Sequence, residues 1–163
     1  MSYYSEVAFV IGFDSKEQLT AWMCSAMLEV QQNMEWYADD QNSQGFTDQL
    51  GLVDVIKTGS YRKYENNTSM LKHAFVVEST FNRLPWSIEK QLRELSEMAN
   101  NMGGGGGYII LGEDQDDNNI FSTSSNDFCI SDYFEMVRSV SQTNTEYSFD
   151  GGELLNNVLT GGK

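Results

Sequence analysis

Glu113, Asp114, Asp116 and Asp117 place four carboxylates within five positions. Clustered acids have two chemical uses: holding a hard divalent cation, or general acid–base work by two carboxyls in unlike environments. For a calcium loop, Asp114, Asp116 and Asn118 occupy its first, third and fifth positions, and Phe121 falls at an acceptable apolar one. The pattern then fails, with Asn119 where glycine is needed and Ser125 where a bidentate glutamate should close the site. A strand pattern rather than a helix precedes it, so a solvated acidic turn is the expected reading and no metal or cofactor is expected. Nothing in the spacing separates the four acids into an acid and a base. His73 is the single histidine and reads as a structural or exposed residue. No G-x-S-x-G or H-E-x-x-H is present. The run Gly103 to Gly107 lacks the Lys-Ser/Thr of a phosphate loop and precedes a strand. The chain is therefore not expected to be an enzyme.

Charge is the compositional outlier. The 163 residues carry a formal net charge of −14, and 40% of them are hydrophobic, enough for one domain with a sizeable core. The acids are unevenly spread. Residues 1–56 hold nine acids against Lys16 alone, and residues 94–163 hold twelve against Arg138 and Lys163. The middle, 57–93, holds seven bases and three acids. There Lys57, Arg62, Lys63 and Lys72 alternate with Tyr61 and Tyr64, a pattern that suits single-stranded nucleic acid. The acidic flanks oppose such binding, so direct contact with nucleic acid or an anionic membrane is not expected. Carboxylates on a rigid surface can instead imitate a nucleic-acid backbone and occupy the basic cleft of a protein that binds one. The candidates are Glu113, Asp114, Asp116 and Asp117 with Asp132 and Glu135, joined by Asp39 and Asp40. The bland alternative is that acidity serves solubility.

These residues need elements to hold them. Tyr108 to Leu111 is a short apolar, β-favouring run that Gly112 breaks, the pattern of a strand buried on both faces. The five glycines before it read as a flexible connection. Ser5 to Phe13 alternates Val7, Phe9, Ile11 and Phe13 against Ala8 and Val10, a strand. Asp14 reads as an N-cap with Glu17 completing a capping box. Leu19, Trp22, Met23, Ala26, Met27, Val30 and Met34 then mark the buried face of a helix of about five turns. Glu35 to Gly45 is a polar loop. Phe46 to Lys57 suits helix and strand alike, and reads as a short helix or turn leading into a strand over Thr58 to Glu65. Asn66 to Ser69 is a turn and Met70 to Thr80 a strand. Trp86, Ile88, Leu92, Leu95, Met98 and Ala99 mark a second helix begun by Pro85 or Ser87, with Glu89–Arg93 and Lys90–Glu94 paired on its wet side. Ile120 to Asn126 reads as a polar loop and Phe128 to Val140 as a last strand. From Ser141 the chain is a polar tail with a short helix near Glu153 to Leu159. Cys24 and Cys129 lie among apolar neighbours and need not pair.

The order predicts an α+β fold: a ferredoxin-like split βαβ sandwich, with an antiparallel sheet of about four to five strands and two main helices on one face. One domain over 1–140 is followed by the tail 141–163. No leader pattern and no apolar run of membrane-spanning length are read, so a cytoplasmic protein is expected.

The stretches YYSEVAFVI and YIILGEDQDD resemble small acidic proteins of bacterial viruses and mobile elements. The resemblance covers these stretches and the α/β order between them, about half the chain; the glycine run and the polar tail depart from it. It implies a source and a shape but no activity. Taken with the charge, it points to a non-enzymatic, phage-type inhibitor in the host cytoplasm. Its partner would be a basic, nucleic-acid-binding host protein such as a defence nuclease or a polymerase. The alternative is a regulatory domain that binds a divalent metal or small ligand. Self-assembly into a homo-oligomer is a third, weaker reading.

Overall fold

The computed structural model describes residues 4–64, 71–82, 88–112, 118–136, 140–142 and 148–150. Strand β1 (Tyr4–Phe13) is the centre of the sheet. Its alternation serves two cores: Val7, Phe9, Ile11 and Phe13 join one cluster, Ala8 and Val10 another, and all six are fully buried. A strand apolar on both faces belongs where both faces are covered, and β1 lies between two antiparallel partners. These are β3 (His73–Asn82) and β4 (Gly105–Leu111), with Val10 paired to both Val76 and Gly107. Strand β2 (Ser60–Lys63) joins β3, and β5 (Asn118–Ser122) joins β4. The six-stranded order is β5-β4-β1-β3-β2-β8, where β8 (Ser148–Asp150) pairs antiparallel with β2. The fold is α+β, as expected.

Three helices, not two, cover the first face. Helix α1 (Lys16–Trp36) buries Leu19, Trp22, Met23, Ala26, Met27 and Val30, the stripe predicted as core. Its cap lies one residue beyond the expected Asp14. The Ser15 hydroxyl accepts from the Gln18 amide at 3.2 Å, and Gln18 rather than Glu17 faces it, because Asp14 still belongs to the exit from β1. The ambiguous segment resolves as helix α2 (Gln44–Lys57), capped by Ser43, with Leu52, Val55 and Ile56 buried. Helix α3 (Ile88–Asn101) buries Leu92, Leu95 and Ala99 and is tied to α1 by the Trp22 indole, which donates to the Leu95 carbonyl at 3.0 Å. Both predicted ion pairs on its wet side form, Arg93–Glu89 at 3.5 Å and Lys90–Glu94 at 4.0 Å.

The glycine run is not a flexible connection. Gly103, at φ +95°, closes α3: its amide bonds Asn100 and the Gly104 amide bonds the Ala99 carbonyl, the paired bonds of a Schellman end. Gly104 to Gly107 are buried, and the last three are β4 itself. A Cβ on Gly104 would strike the Gly12 carbonyl, one on Gly105 the Phe128 side chain, and one on Gly107 the Phe121 carbonyl. On Gly106 it would lie 2.8 Å from the Ser96 Cα. These glycines let α3, β1 and the C-terminal segment pack directly against the β4 backbone.

Two further expectations fail on the second face. The polar loop expected over Ile120–Asn126 begins within β5, whose edge position leaves Asn118, Asn119 and Ile120 exposed. The last strand expected over Phe128–Val140 is broken into a 3-10 turn (Ile130–Asp132) and a short strand β6 (Phe134–Met136). Strand β6 pairs with β7 (Val140–Gln142) outside the main sheet. The apolar residues there do not alternate across a strand. Phe128, Ile130, Tyr133 and Phe134 all turn inward onto Ala8, Val10, Ala74, Val76 and Ile109. Cys24 and Cys129 are free and exposed, beside the buried Met23 and between the buried Phe128 and Ile130 respectively. The turn expected at Asn66–Ser69, the helix start at Pro85 or Ser87 and the short helix near Glu153–Leu159 lie outside the described residues.

Candidate functional site

The acidic cluster is carried between β4 and β5. Leu111 pairs with Asn118 across the two strands and with Glu6 on its other side. Glu113, Asp114, Asp116 and Asp117 themselves lie outside the described residues. The strands that carry them are fixed to the helical layer. The Tyr108 hydroxyl donates to the Glu89 carboxylate at 2.8 Å, and the Tyr108 ring stacks on Phe121 with centroids 5.7 Å apart. The Arg93 guanidinium lies 4.7 Å from the Phe121 ring centre. Burial pushes the Tyr108 phenol up to about 12, so it remains a proton donor to Glu89 at neutral pH.

Two carboxylates of the sheet, Glu6 and Glu78, stand near this end by register. Lys16, at the start of α1, lies against the Tyr61 ring, and Trp22, two turns on, against Phe75. Tyr61 and Phe75 are register partners, so both contacts place the first half of helix α1 at one level of the sheet. Glu35, in the last turn of α1, and Asp39 and Asp40 just beyond it are exposed; on the sheet, Glu6 meets Leu111. Exposed Glu78, paired with Ala8, stands near the same end.

Asp132 is not brought there. The 3-10 turn starts beside Gly107 and Ser122, where the Ile130 amide donates to the Ser122 hydroxyl at 3.2 Å. The next residue after Asp132, Tyr133, reaches Leu71 beside Gly12. Gly12 pairs with Gly105, six residues and about 20 Å along β4 from Leu111. Partial burial raises the Asp132 carboxyl above its ordinary range. Tyr133 is pushed higher still by burial and by the neighbouring charges, Asp132 and Asp14 among them. Glu135 lies in β6 opposite Ser141, and its side chain is outside the described residues.

At that far end, on the helical face, stands a constellation that the sequence held in pieces. The register pairs Lys63 with His73 and His73 with Phe13, and the Tyr61 hydroxyl is hydrogen-bonded to His73 Nδ1. Lys16 lies 5.4 Å from the Tyr61 ring centre, and Lys72 precedes His73. Burial first, and then the charge of Lys63, lowers the His73 pKa below its usual 6.5; Lys16 and Lys72 add to the fall, and Glu17 opposes it. Lys16 had been counted with the acidic N-terminal third. Only the register of β2 on β3 and the packing of Lys16 on Tyr61 reveal where it stands.

Tyr61 and Tyr64 are buried, at 3% and 1% exposure, and are not stacking platforms for bases. Among the described residues no three His, Cys, Asp or Glu side chains are grouped to hold a metal, and no helix is long and apolar enough to cross a membrane. No protein-family model, curated protein or solved structure matches the chain.

Proposed function

We propose that this chain is a non-enzymatic interaction protein whose acidic end docks on the basic, nucleic-acid-binding surface of a host protein in the cytoplasm, in the manner of a phage-type inhibitor. The observation that carries the reading is the gathering of carboxylates at one end. Glu6 and Glu78 stand near it on the sheet, and the 113–117 acids follow Leu111 and Gly112 in sequence. The resemblance of YYSEVAFVI and YIILGEDQDD to viral proteins supports a partner that handles nucleic acid, such as a defence nuclease or polymerase. The rigid base of the β4–β5 pair supports recognition by a fixed array of charge, which needs little ordering on binding. The sheet order β4-β1-β3-β2, crossed once through α1 and α2 and once through α3, supports a ferredoxin-like split βαβ core extended by β5 and β8.

The test is affinity capture from host lysate at low and high salt, using the native chain and a variant carrying Asp114→Lys, Asp116→Lys and Asp117→Lys. The native chain should retain a basic nucleic-acid-binding protein that salt or added duplex DNA releases, and the variant should lose it. Retention undiminished by the three reversals would remove the acidic turn as its seat.

A further inference from the structure

We propose that β5 is the docking edge for a second copy of this chain, the two β5 strands pairing antiparallel about Ile120 so that the sheet continues across a two-fold axis. Among the described residues β5 closes one end of the six-stranded order, with β4 its only strand neighbour. The register fixes which way its backbone points. The Thr123 amide donates to the Gly106 carbonyl, and antiparallel ladders alternate, so Phe121 and Asn119 also turn their amides and carbonyls toward β4. Ile120, between them, turns its amide and carbonyl outward, away from β4. Its side chain lies across from Ile109 on the second face and is 53% exposed.

Charge decides what fits this edge. Strand edges are ordinarily guarded against pairing by lysine, proline or an inward-pointing charge. In a protein with 24 acids, the chain from Asn118 to Asn126 holds no charged residue and no proline. Nothing on the strand therefore selects a basic peptide, whereas a second β5 is uncharged in its turn. Ile120 is also the middle residue of the strand. Pairing there sets Ile120 against Ile120 of the second copy, where the two exchange both backbone hydrogen bonds and their side chains cover each other on one face. The same register places Asn118 opposite Ser122 of the second copy, so the two Asn118 ends stand about 14 Å apart along the strands. The acids 113–117 join those ends in sequence, so the acidic stretches do not meet head to head. That separation exceeds the screening length of about 8 Å at physiological ionic strength. The contact is short beside those of permanent dimers, so the association belongs to the weak, concentration-dependent class. A charge of −14 on each copy makes it stronger as salt rises.

The test is sedimentation velocity on the full chain, from micromolar to millimolar concentration and at low and physiological salt. Monomer should pass to dimer as concentration rises, and salt should strengthen the dimer. Hydrogen exchange at the Ile120 amide should slow over the same range, while Asn119 and Phe121, whose amides already face β4, should not change. Ile120→Lys and, separately, Ile120→Pro should each weaken the dimer roughly tenfold or more, since the two-fold axis makes every change twice. The Ile120 amide points away from β4, so proline removes the intermolecular donor and spares the ladder. A melting curve for each variant confirms folding, and Ile120→Lys serves where Ile120→Pro proves unstable. A chain that stays monomeric at millimolar concentration would overturn the pairing and leave the edge to an extended segment of another protein. A dimer that leaves exchange at Ile120 unchanged, or that survives Ile120→Lys undiminished, would overturn it too. Pairing through β5 is independent of the acidic docking surface: reversing Asp114, Asp116 and Asp117 should leave the dimer intact or strengthen it, and salt should act on the two in opposite directions.

Discussion

At the scale of single residues, His73 and the buried glycines make the sharpest claims. The His73 pKa is lower in the fold than its usual 6.5, so below pH 6.5 the unfolded chain takes up a proton that the folded chain does not. The stabilising preference for neutral His73 is therefore complete above 6.5 and declines as pH falls from there toward the folded pKa. The native melting temperature should drop across that window more than that of His73→Gln, and thermal unfolding followed by circular dichroism at stepped pH measures the difference. An identical pH dependence in both proteins would show that the histidine's environment is the same folded and unfolded. Gly106 tests close packing instead. Gly106→Ala sets a methyl against the Ser96 backbone and Ile11, and should cost about 1–3 kcal/mol in urea unfolding. A true linker glycine would tolerate the change or gain from it.

At the scale of elements, legibility followed how completely local pattern decides structure. The two-sided alternation of Val7 to Phe13 and the Leu19-to-Val30 stripe each state their own burial, and both were readable. Strand β5 was not, because an edge strand exposing Asn118, Asn119 and Ile120 shows no apolar alternation. Phe128 to Phe134 misled in the other direction, since residues packing inward from an irregular segment imitate a strand's period. That segment closes the second face, with Phe128 stacked on Tyr133 and lying over Gly105. Phe128→Ala should accordingly cost about 3–5 kcal/mol in urea unfolding, whereas truncating an ornamental loop would cost almost nothing. The candidate site divides in the same way. The clustering of Glu113 to Asp117 is a property of neighbours in sequence, but the distance of Asp132 from the Leu111 end of β4 depends on strand register. So does the meeting of Lys16 with His73, which no local pattern records.

At the scale of the whole molecule, net charge makes stability and recognition respond to salt in opposite directions. A charge of −14 on one domain repels itself, and exposed pairs such as Lys90–Glu94 are too solvated to offset that repulsion. Raising monovalent salt from about 0.01 M to about 0.1 M contracts the screening length from about 30 Å to about 10 Å. The first distance spans β1, and the second is a third of it, so repulsion between carboxylates at opposite ends fades while neighbours still interact. The melting temperature should therefore rise with salt, by a few degrees if about 1 kcal/mol of repulsion is removed. Over the same range the acidic end should lose affinity for a basic partner, because the attraction that steers and holds it is screened. Measured together, a rising melting temperature and a falling affinity assign the carboxylates to recognition at a cost in stability. A melting temperature that rises while affinity stays constant would leave the acids as a solubility device and place the binding surface elsewhere. The variant with Asp114, Asp116 and Asp117 changed to lysine separates the two effects, since it removes six units of negative charge. It should melt higher than the native chain at low salt, lose most of the salt dependence of its stability, and bind the partner weakly throughout.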